Sequence, residues 1–508
     1  MPKILAKFLD YLRSDKFFRL ILVVFVIEAV WIAVSAAYPQ AFDENYHFGL
    51  IKVYSHYWLP FLSHQPPHAD AYGAVAREPS YFYHYIMSFP YRFIELFTKS
   101  QIIQVIILRL INVAMFAWGL TLFRKILLRV GSSKALTNLV LMLFILIPIV
   151  PQLAGQISYD NLMIPLTALS ILYCFKIMDE IRSKKLSIYH TALFLGLCFM
   201  TSVVKYAFLP IFAAMLLFLI VLSIYVYKKN LKFFFIQLGK SWRKQKLITK
   251  IIIPLVIIIP FGLFAQRDLV NLVEYHSIKP SCQKVLSVKQ CLAYSPWAYN
   301  YRNHIKIEAG LASFSNPIIY PFQWLYWMWY RLFFAVNGPK AHFKNYPPLP
   351  LPSAAALVLF IAGIVALIKW WRKIFAGNLY LTLLLAVVAG YCLALIGQGY
   401  FTYRYTAVLE NMNGRYLLPI LVLLAAIFGQ ALSVAFRKMQ NRKIVFAMVA
   451  LFLFLEGGGV LTFIIRSDST WDINNKAVVK VNNTARKVVK KVVVSGYKEY
   501  STRLWFFD

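Results

Sequence analysis

"FFRLILVVFVIEAVWIAVSAAYPQAFDENYHFGL" (residues 17–50) decides the class of this chain. Its first part, Phe17–Tyr38, has the length of a membrane-crossing helix, about 20 residues at a rise of ~1.5 Å each. It is too long for the apolar core of a secretory signal, although "VSAA" carries some small-residue cleavage character. Its second part sets two adjacent carboxylates, Asp43 and Glu44, just past the apolar run. The chain spends only 20 Asp and Glu over 508 residues, so their placement needs a reason.

Similar runs recur along the chain. It is 60% hydrophobic, with a mean hydropathy of +0.62; a soluble globular protein is about 45–50% apolar. The excess is concentrated in low-charge stretches of about 18–22 residues. Eleven spans are predicted, at 17–38, 102–122, 135–152, 161–178, 188–204, 207–227, 251–267, 352–369, 379–397, 414–435 and 444–465. The expected fold class is an all-α polytopic membrane protein. The fifth and sixth spans meet at Lys205, through either a tight turn or a bend in one long helix, and an odd count requires the turn.

The formal net charge is +34. Its distribution argues against a nucleic-acid partner, because the bases cluster in alternate loops between apolar runs. Lys3, Lys7, Arg13 and Lys16 precede the first span. Arg124, Lys125, Arg129 and Lys134 follow the second, and Lys176, Arg182, Lys184 and Lys185 follow the fourth. "KKNLKFFFIQLGKSWRKQKLITK" (residues 228–250), "KWWRK" and "RKMQNRK" continue the series. This is the positive-inside pattern, and it predicts a cytoplasmic N-terminus in the cell membrane. Loops 39–101, 268–351 and 398–413 then face outward. Residues 1–465 are expected to form one membrane domain with its two long outer loops folded over it. The basic tail, 466–508, also falls outside, as either an amphipathic surface element held by anionic lipid or a frayed extension.

Of five cysteines, Cys174, Cys198 and Cys392 lie inside apolar runs and read as small packed side chains. Cys282 and Cys291 lie in a polar outer loop, where a disulfide is favoured over two free thiols.

Ionisable groups at the outer membrane boundary are functional candidates. Asp43 and Glu44 lead them, against the alternative of a solvated helix end. "HQPPHADAYGAVAREPSYFYHYIMSFPYRF" (residues 64–93) follows in the same loop and places seven aromatic residues from Tyr81 to Phe93. Its composition suggests interfacial helices with aromatic faces toward lipid or sugar. Arg77 and Glu78 could pair with each other there. Lys205 sits in apolar sequence and needs a carboxylate, a cavity or a bound anion, unless it snorkels to the interface. Arg404 and Arg415 offer planar forks suited to phosphate oxygens, Arg415 otherwise serving as an interfacial anchor beside Tyr416. Arg109 is a further buried cation with no assignable partner. Asp160 and Asn161 could cap the fourth span. "SPWAYNYRNH" (Ser295–His304) suits sugar stacking or an ordinary interfacial loop.

Acids and cations thus fall together on the outer face. An acid there suits general-base activation of a hydroxyl, and buried cations suit a departing phosphate. His47, Glu78, Tyr81, Asp160, Arg109 and Tyr416 are candidates for lining the cavity or holding an acceptor. No Walker-type loop, H-E-x-x-H helix or G-x-S-x-G elbow occurs. The histidines at 47, 56, 64, 68 and 84 match no recognised metal spacing, and metal use stays open.

The pieces "FDENYHFGL", "EPSYFYHYI", "RLINVAMF", "SYDNLM", "TSVVKYAFLP" and "NGRYLLPILVLL" span Asp43 to Leu424. Together they make the chain resemble the GT-C superfamily of polytopic glycosyltransferases, and within it a bacterial membrane family known only as domain of unknown function 2142. The resemblance implies a polyprenyl-phosphate-linked sugar as donor and an outward-facing active site over a lipid-accessible cavity. It implies Asp43 as the carboxylate that activates the acceptor, with Glu44 beside it, and Lys205 and Arg415 near the donor phosphate. Some members of the superfamily use a divalent cation and others use none. The expected function is inverting glycosyl transfer to a hydroxyl of a glycan, lipid or protein during cell-envelope assembly. The alternatives are a transporter or flippase for a lipid-linked or anionic substrate, and a non-catalytic envelope scaffold.

Overall fold

A computed structural model describes residues 7, 10–41, 43–228, 232–313, 317–333, 350–409, 412–437, 463–464 and 467–493. Among the described residues the chain is 79% helical and contains no strands. The helices are α1 (Asp15–Ser35), α2 (Glu44–Ser55), α3 (Phe82–Phe97), α4 (Gln101–Arg129), α5 (Lys134–Ile145), α6 (Ile149–Ala154), α7 (Asp160–Arg182), α8 (Ile188–Val204) and α9 (Leu209–Tyr227). They continue with α10 (Lys232–Arg243), α11 (Leu247–Phe264), α12 (Ser295–Glu308), α13 (Tyr320–Phe333), α14 (Pro350–Phe375), α15 (Leu379–Thr406), α16 (Leu418–Ala435) and α17 (Lys476–Val493). A π-helical stretch, Ala265–Leu269, carries α11 on to Tyr275.

Seven helical segments among the described residues are long and apolar enough to cross a membrane: Asp15–Ser35, Gln101–Arg129, Asp160–Arg182, Tyr206–Tyr227, Leu247–Tyr275, Leu379–Thr406 and Gly414–Ala435. The chain is therefore a polytopic helical membrane protein, but the expected eleven spans are not all recovered. The third, 135–152, is broken: α5 ends at Ile145 and α6 starts at Ile149. Pro148 and Pro151 each lack the N–H that a continuous helix would use. Nearly every residue from Ala135 to Asp160 is buried, so this irregular backbone is enclosed by protein, where a membrane domain tolerates it. α8 has only 17 residues. The eighth predicted span falls within α14, and the eleventh lies outside the described residues except at Phe463 and Ile464.

The structure makes 188–227 two helices. Lys205 is extended (φ −153°) between α8 and a 3₁₀ turn at Tyr206–Phe208. The rings of Phe199 and Phe212, on either side of it, approach to 5.5 Å. Thirteen residues of continuous helix would hold them about 20 Å apart, so the chain folds back at Lys205.

Hydrogen bonds and ion pairs divide the molecule into two ends. At one end Arg124 and Lys134 meet Asp15, Arg129 meets Asp179, and Asn378 reaches Val130. Gln430 reaches Ser132, and Ser241 holds Ile188. This end collects the basic connections. The opposite end collects the C-terminus of α1, the N-termini of α4, α7 and α16, and the turn at Lys205. Between the ends, small residues allow close packing. A Cβ added at Gly196 of α8 would lie 2.2 Å from the Val256 carbonyl oxygen of α11. Outward faces carry exposed Val23 and Ile27 on α1 and Leu217 and Val221 on α9, the apolar surface that lipid covers.

Candidate active site

The two acids of the opening stretch separate at once. Glu44 begins α2 and is fully buried. Its carboxylate accepts from Arg109 Nε and Nη2, each at 2.7 Å, and from the backbone N–H groups of Gln40 (2.8 Å) and Ile157 (3.1 Å). Arg109 donates its other N–H groups to the carbonyls of Ala33 (3.1 Å), Ala36 (2.6 Å) and Ala37 (3.2 Å). This bidentate pair satisfies charge and geometry together. It ties the end of α1, the start of α2, α4 and the segment before α7 into one joint. Arg109 thus has the partner that sequence reading could not assign, and Glu44 has no oxygen left for proton transfer.

Asp43 is different. It is the N-cap of α2 in the left-handed conformation (φ 68°, ψ 27°) and makes no side-chain cap bond. Asp tolerates that region better than most residues, at some cost in strain. Its side chain is 57% exposed, and Oδ2 accepts from Arg415 Nη2 at 2.7 Å. Arg415 comes from the 3₁₀ turn Gly414–Leu417 that opens α16.

A second ion pair lies alongside. Asp160 is the first residue of α7, after the N-cap Tyr159. Its carboxylate does not cap the helix: Oδ1 accepts from Lys205 Nζ at 2.5 Å, and both residues are buried. Asn161 is likewise no cap, donating to Asn112 Oδ1 and to the carbonyls of Leu153 and Gln156. Lys205 Nζ stands 4.6 Å from the Tyr159 ring centre and 5.3 Å from that of Tyr416. The Arg415 guanidinium stands 5.1 Å from the same Tyr416 ring. The Tyr416 ring therefore neighbours both cations, each with its own carboxylate.

His47 and His84 lie beneath. His47 Nδ1 is 2.9 Å from His84 Nε2, and the His47 ring meets Tyr159 at 4.5 Å. Burial pushes His47 well below its ordinary value, helped by His84, Arg415 and Lys205. Burial brings His84 down to about 3. Both are neutral near pH 7. Of the five outer-loop histidines, the structure pairs these two. Among the described residues no three His, Cys, Asp or Glu side chains gather as a metal-holding group.

Half-buried tyrosines form the rim. Tyr46 meets Tyr72 at 6.1 Å and Tyr294 at 6.0 Å, and Tyr206 receives a 2.9 Å bond from Gln398 Nε2. Burial pushes the Tyr294 hydroxyl up to about 12, so it remains a donor. Gly49 admits Tyr72, because a Cβ there would fall 2.2 Å from the tyrosine oxygen. Arg77 and Glu78 do not pair with each other. Arg77 meets Glu274 at 3.0 Å and Glu78 meets Lys279 at 3.4 Å. Burial works against the charge on Lys279, but Glu78, Tyr206 and Tyr294 together hold its value above that of an ordinary lysine. The two long outer loops are thereby clasped together beside the site, and Cys282–Cys291 forms the expected disulfide in the second.

Two candidates go elsewhere. Tyr81 is buried against α11, its hydroxyl donating to Leu263 O at 3.0 Å and its ring 4.6 Å from the Arg267 guanidinium. Arg404 is exposed near the end of α15. Sequence reading did not single out Tyr159, Tyr206, Tyr294 or Lys279, and took His84 only as one of five outer-loop histidines. Tyr159 and His84 stand inside "SYDNLM" and "EPSYFYHYI", where adjacency was the available signal; Lys279 carried none in its polar loop.

No family model, curated protein or solved structure matches the chain.

Proposed function

We propose that the protein is an integral-membrane, inverting glycosyltransferase of GT-C type that moves a sugar from a polyprenyl phosphate to an acceptor hydroxyl. The observation that carries this reading is the half-exposed Asp43 beside Arg415, whose neighbouring Tyr416 ring also lies 5.3 Å from Lys205. By the positive-inside rule the end bearing these groups faces away from the cytoplasm.

Asp43 takes the proton of the acceptor hydroxyl as that oxygen attacks the anomeric carbon from the side opposite the phosphate. The new C–O bond forms while the bond from the anomeric carbon to the phosphate oxygen breaks. The phosphate leaves with that electron pair, its negative charge met by Lys205 and Arg415. Asp160 holds the Lys205 ammonium in place while the donor is absent. The tyrosine rim supplies faces on which a sugar ring can stack, and Glu44 positions Asp43 through the α2 joint.

The test is acceptor-dependent release of free polyprenyl phosphate by the purified protein supplied with a polyprenyl-phosphate sugar. Release in step with glycosylated acceptor supports the transferase. Movement of the intact lipid-linked sugar across a vesicle membrane, with no cleavage, supports the transporter or flippase instead.

A further inference from the structure

The tail helix α17 is fixed to the molecule by one face. Asp472, at its approach, accepts from Arg486 Nη1 and Nη2, each at 2.7 Å, and from Asn482 Nδ2 at 2.7 Å. The segment before it joins the end of the first span: Ala37 N–H donates to Trp471 O (2.7 Å) and Ile473 N–H to Ser35 O (2.8 Å). Trp471 packs with Ile32 and Ala36. A cleft of about 530 Å³ between this segment and the start of α4 is lined by Tyr38, Gln101 and Val479 among others. The helix is thus held where an apolar span gives way to polar chain, which is headgroup depth.

Its other face is sorted. At 100° per residue, Lys476, Lys480, Lys487 and Lys491 fall within an arc of about 60°, on the side away from Asn482 and Arg486. All four lysines are exposed. Val481 and Val488 share the neighbouring arc and are 55% and 56% exposed. No Asp or Glu occurs from Lys476 to Val493. A solvated helix gains nothing from such valines, and a helix packed on protein would bury them. A lysine stripe beside an apolar stripe at headgroup depth fits a bilayer surface, valines toward the acyl chains and lysines toward phosphates.

We infer that α17 is an interfacial helix whose Lys476, Lys480, Lys487 and Lys491 bind the phosphate groups of anionic lipids. The inference stands whether or not the chain transfers a sugar. Its occupant is a negatively charged lipid surface, chosen over a soluble acidic partner by the exposed valines beside the lysines.

The test is amide hydrogen exchange of the full chain in nanodiscs of phosphatidylcholine, with and without about one-third phosphatidylglycerol. Anionic lipid should slow exchange across residues 476–493, on the order of tenfold or more for four lysines near a charged surface. Replacing all four, Lys476→Gln with Lys480→Gln, Lys487→Gln and Lys491→Gln, should abolish that difference while the Arg486–Asp472 anchor and the protein's melting point are kept. Equal exchange in both discs by the wild-type chain overturns the inference, as does an undiminished lipid effect in the variant. Protection that follows added polyglutamate in zwitterionic discs, and not phosphatidylglycerol, overturns it in favour of a soluble acidic partner.

Discussion

Asp43 and Glu44 are neighbours with opposite environments, and the contrast comes from helix geometry. Glu44 enters α2 and turns inward onto Arg109; Asp43, one residue earlier and left-handed, stays at the surface with Arg415. Removing one member of a buried ion pair strands the other, at a cost of about 3–5 kcal/mol. Glu44→Gln should therefore lower the stability of the purified protein by that amount, read as a large fall in its detergent melting point. Asp43→Asn removes a charge that is itself half in solvent and leaves an amide oxygen to accept from the buried Arg415, so it should change stability by less than Glu44→Gln, by about 1 kcal/mol. Equal effects of the two substitutions would mean that the acids share one role. That the pair mattered could be read from the scarcity of acids, but which acid is buried could not. It depends on Arg109, 65 residues away, and sequence spacing does not report partners so distant.

At the scale of elements, apolar length predicted the long spans well and broken or short ones poorly. Hydropathy averaged across 135–152 hides the prolines that divide α5 from α6, and the segment's burial removes the need for a continuous helix. Lys205 is the converse case. An expensive charge in apolar sequence marked the place where the chain turns, and its cost is offset by Asp160. Asp160 suits a cap as well as a cavity, because Asp favours the cap position; tertiary pairing with Lys205 overrides that local preference. Packing between α8 and α11 depends on Gly196, where a side chain would meet backbone rather than a movable group. Gly196→Leu should destabilise the protein by roughly 1–3 kcal/mol through overpacking, measured as a lower melting point in detergent. An unchanged melting point would show that the two helices separate freely.

Across the whole molecule, the alternation of basic loops foretold the sorting of contacts into two ends. Two helices that begin among the basic connections, α1 and α8, end at the site, where Arg109 meets the last carbonyls of α1 and Lys205 follows α8. The rule that reads orientation from charge makes a direct prediction. Ser63 and Ser183 are exposed at opposite ends. In intact cells an impermeant maleimide should label Ser63→Cys and leave Ser183→Cys unlabelled until the membrane is opened. The reverse pattern would place the site in the cytoplasm. The site was legible as a list of ionisable residues on one face, which gave Asp43, Lys205 and Arg415. Its arrangement was not, because Tyr416 and Tyr159 join those residues only once four separate helix ends meet. The central claim is that this arrangement transfers a sugar with Asp43 as the base, and one measurement bears on it most directly. Purified wild-type and Asp43→Asn proteins of matched melting point are given a polyprenyl-phosphate sugar and acceptor, and the transfer rate is compared. Loss of a general base predicts a fall of about 10²–10⁴-fold in the variant; an undiminished rate in Asp43→Asn would contradict the account.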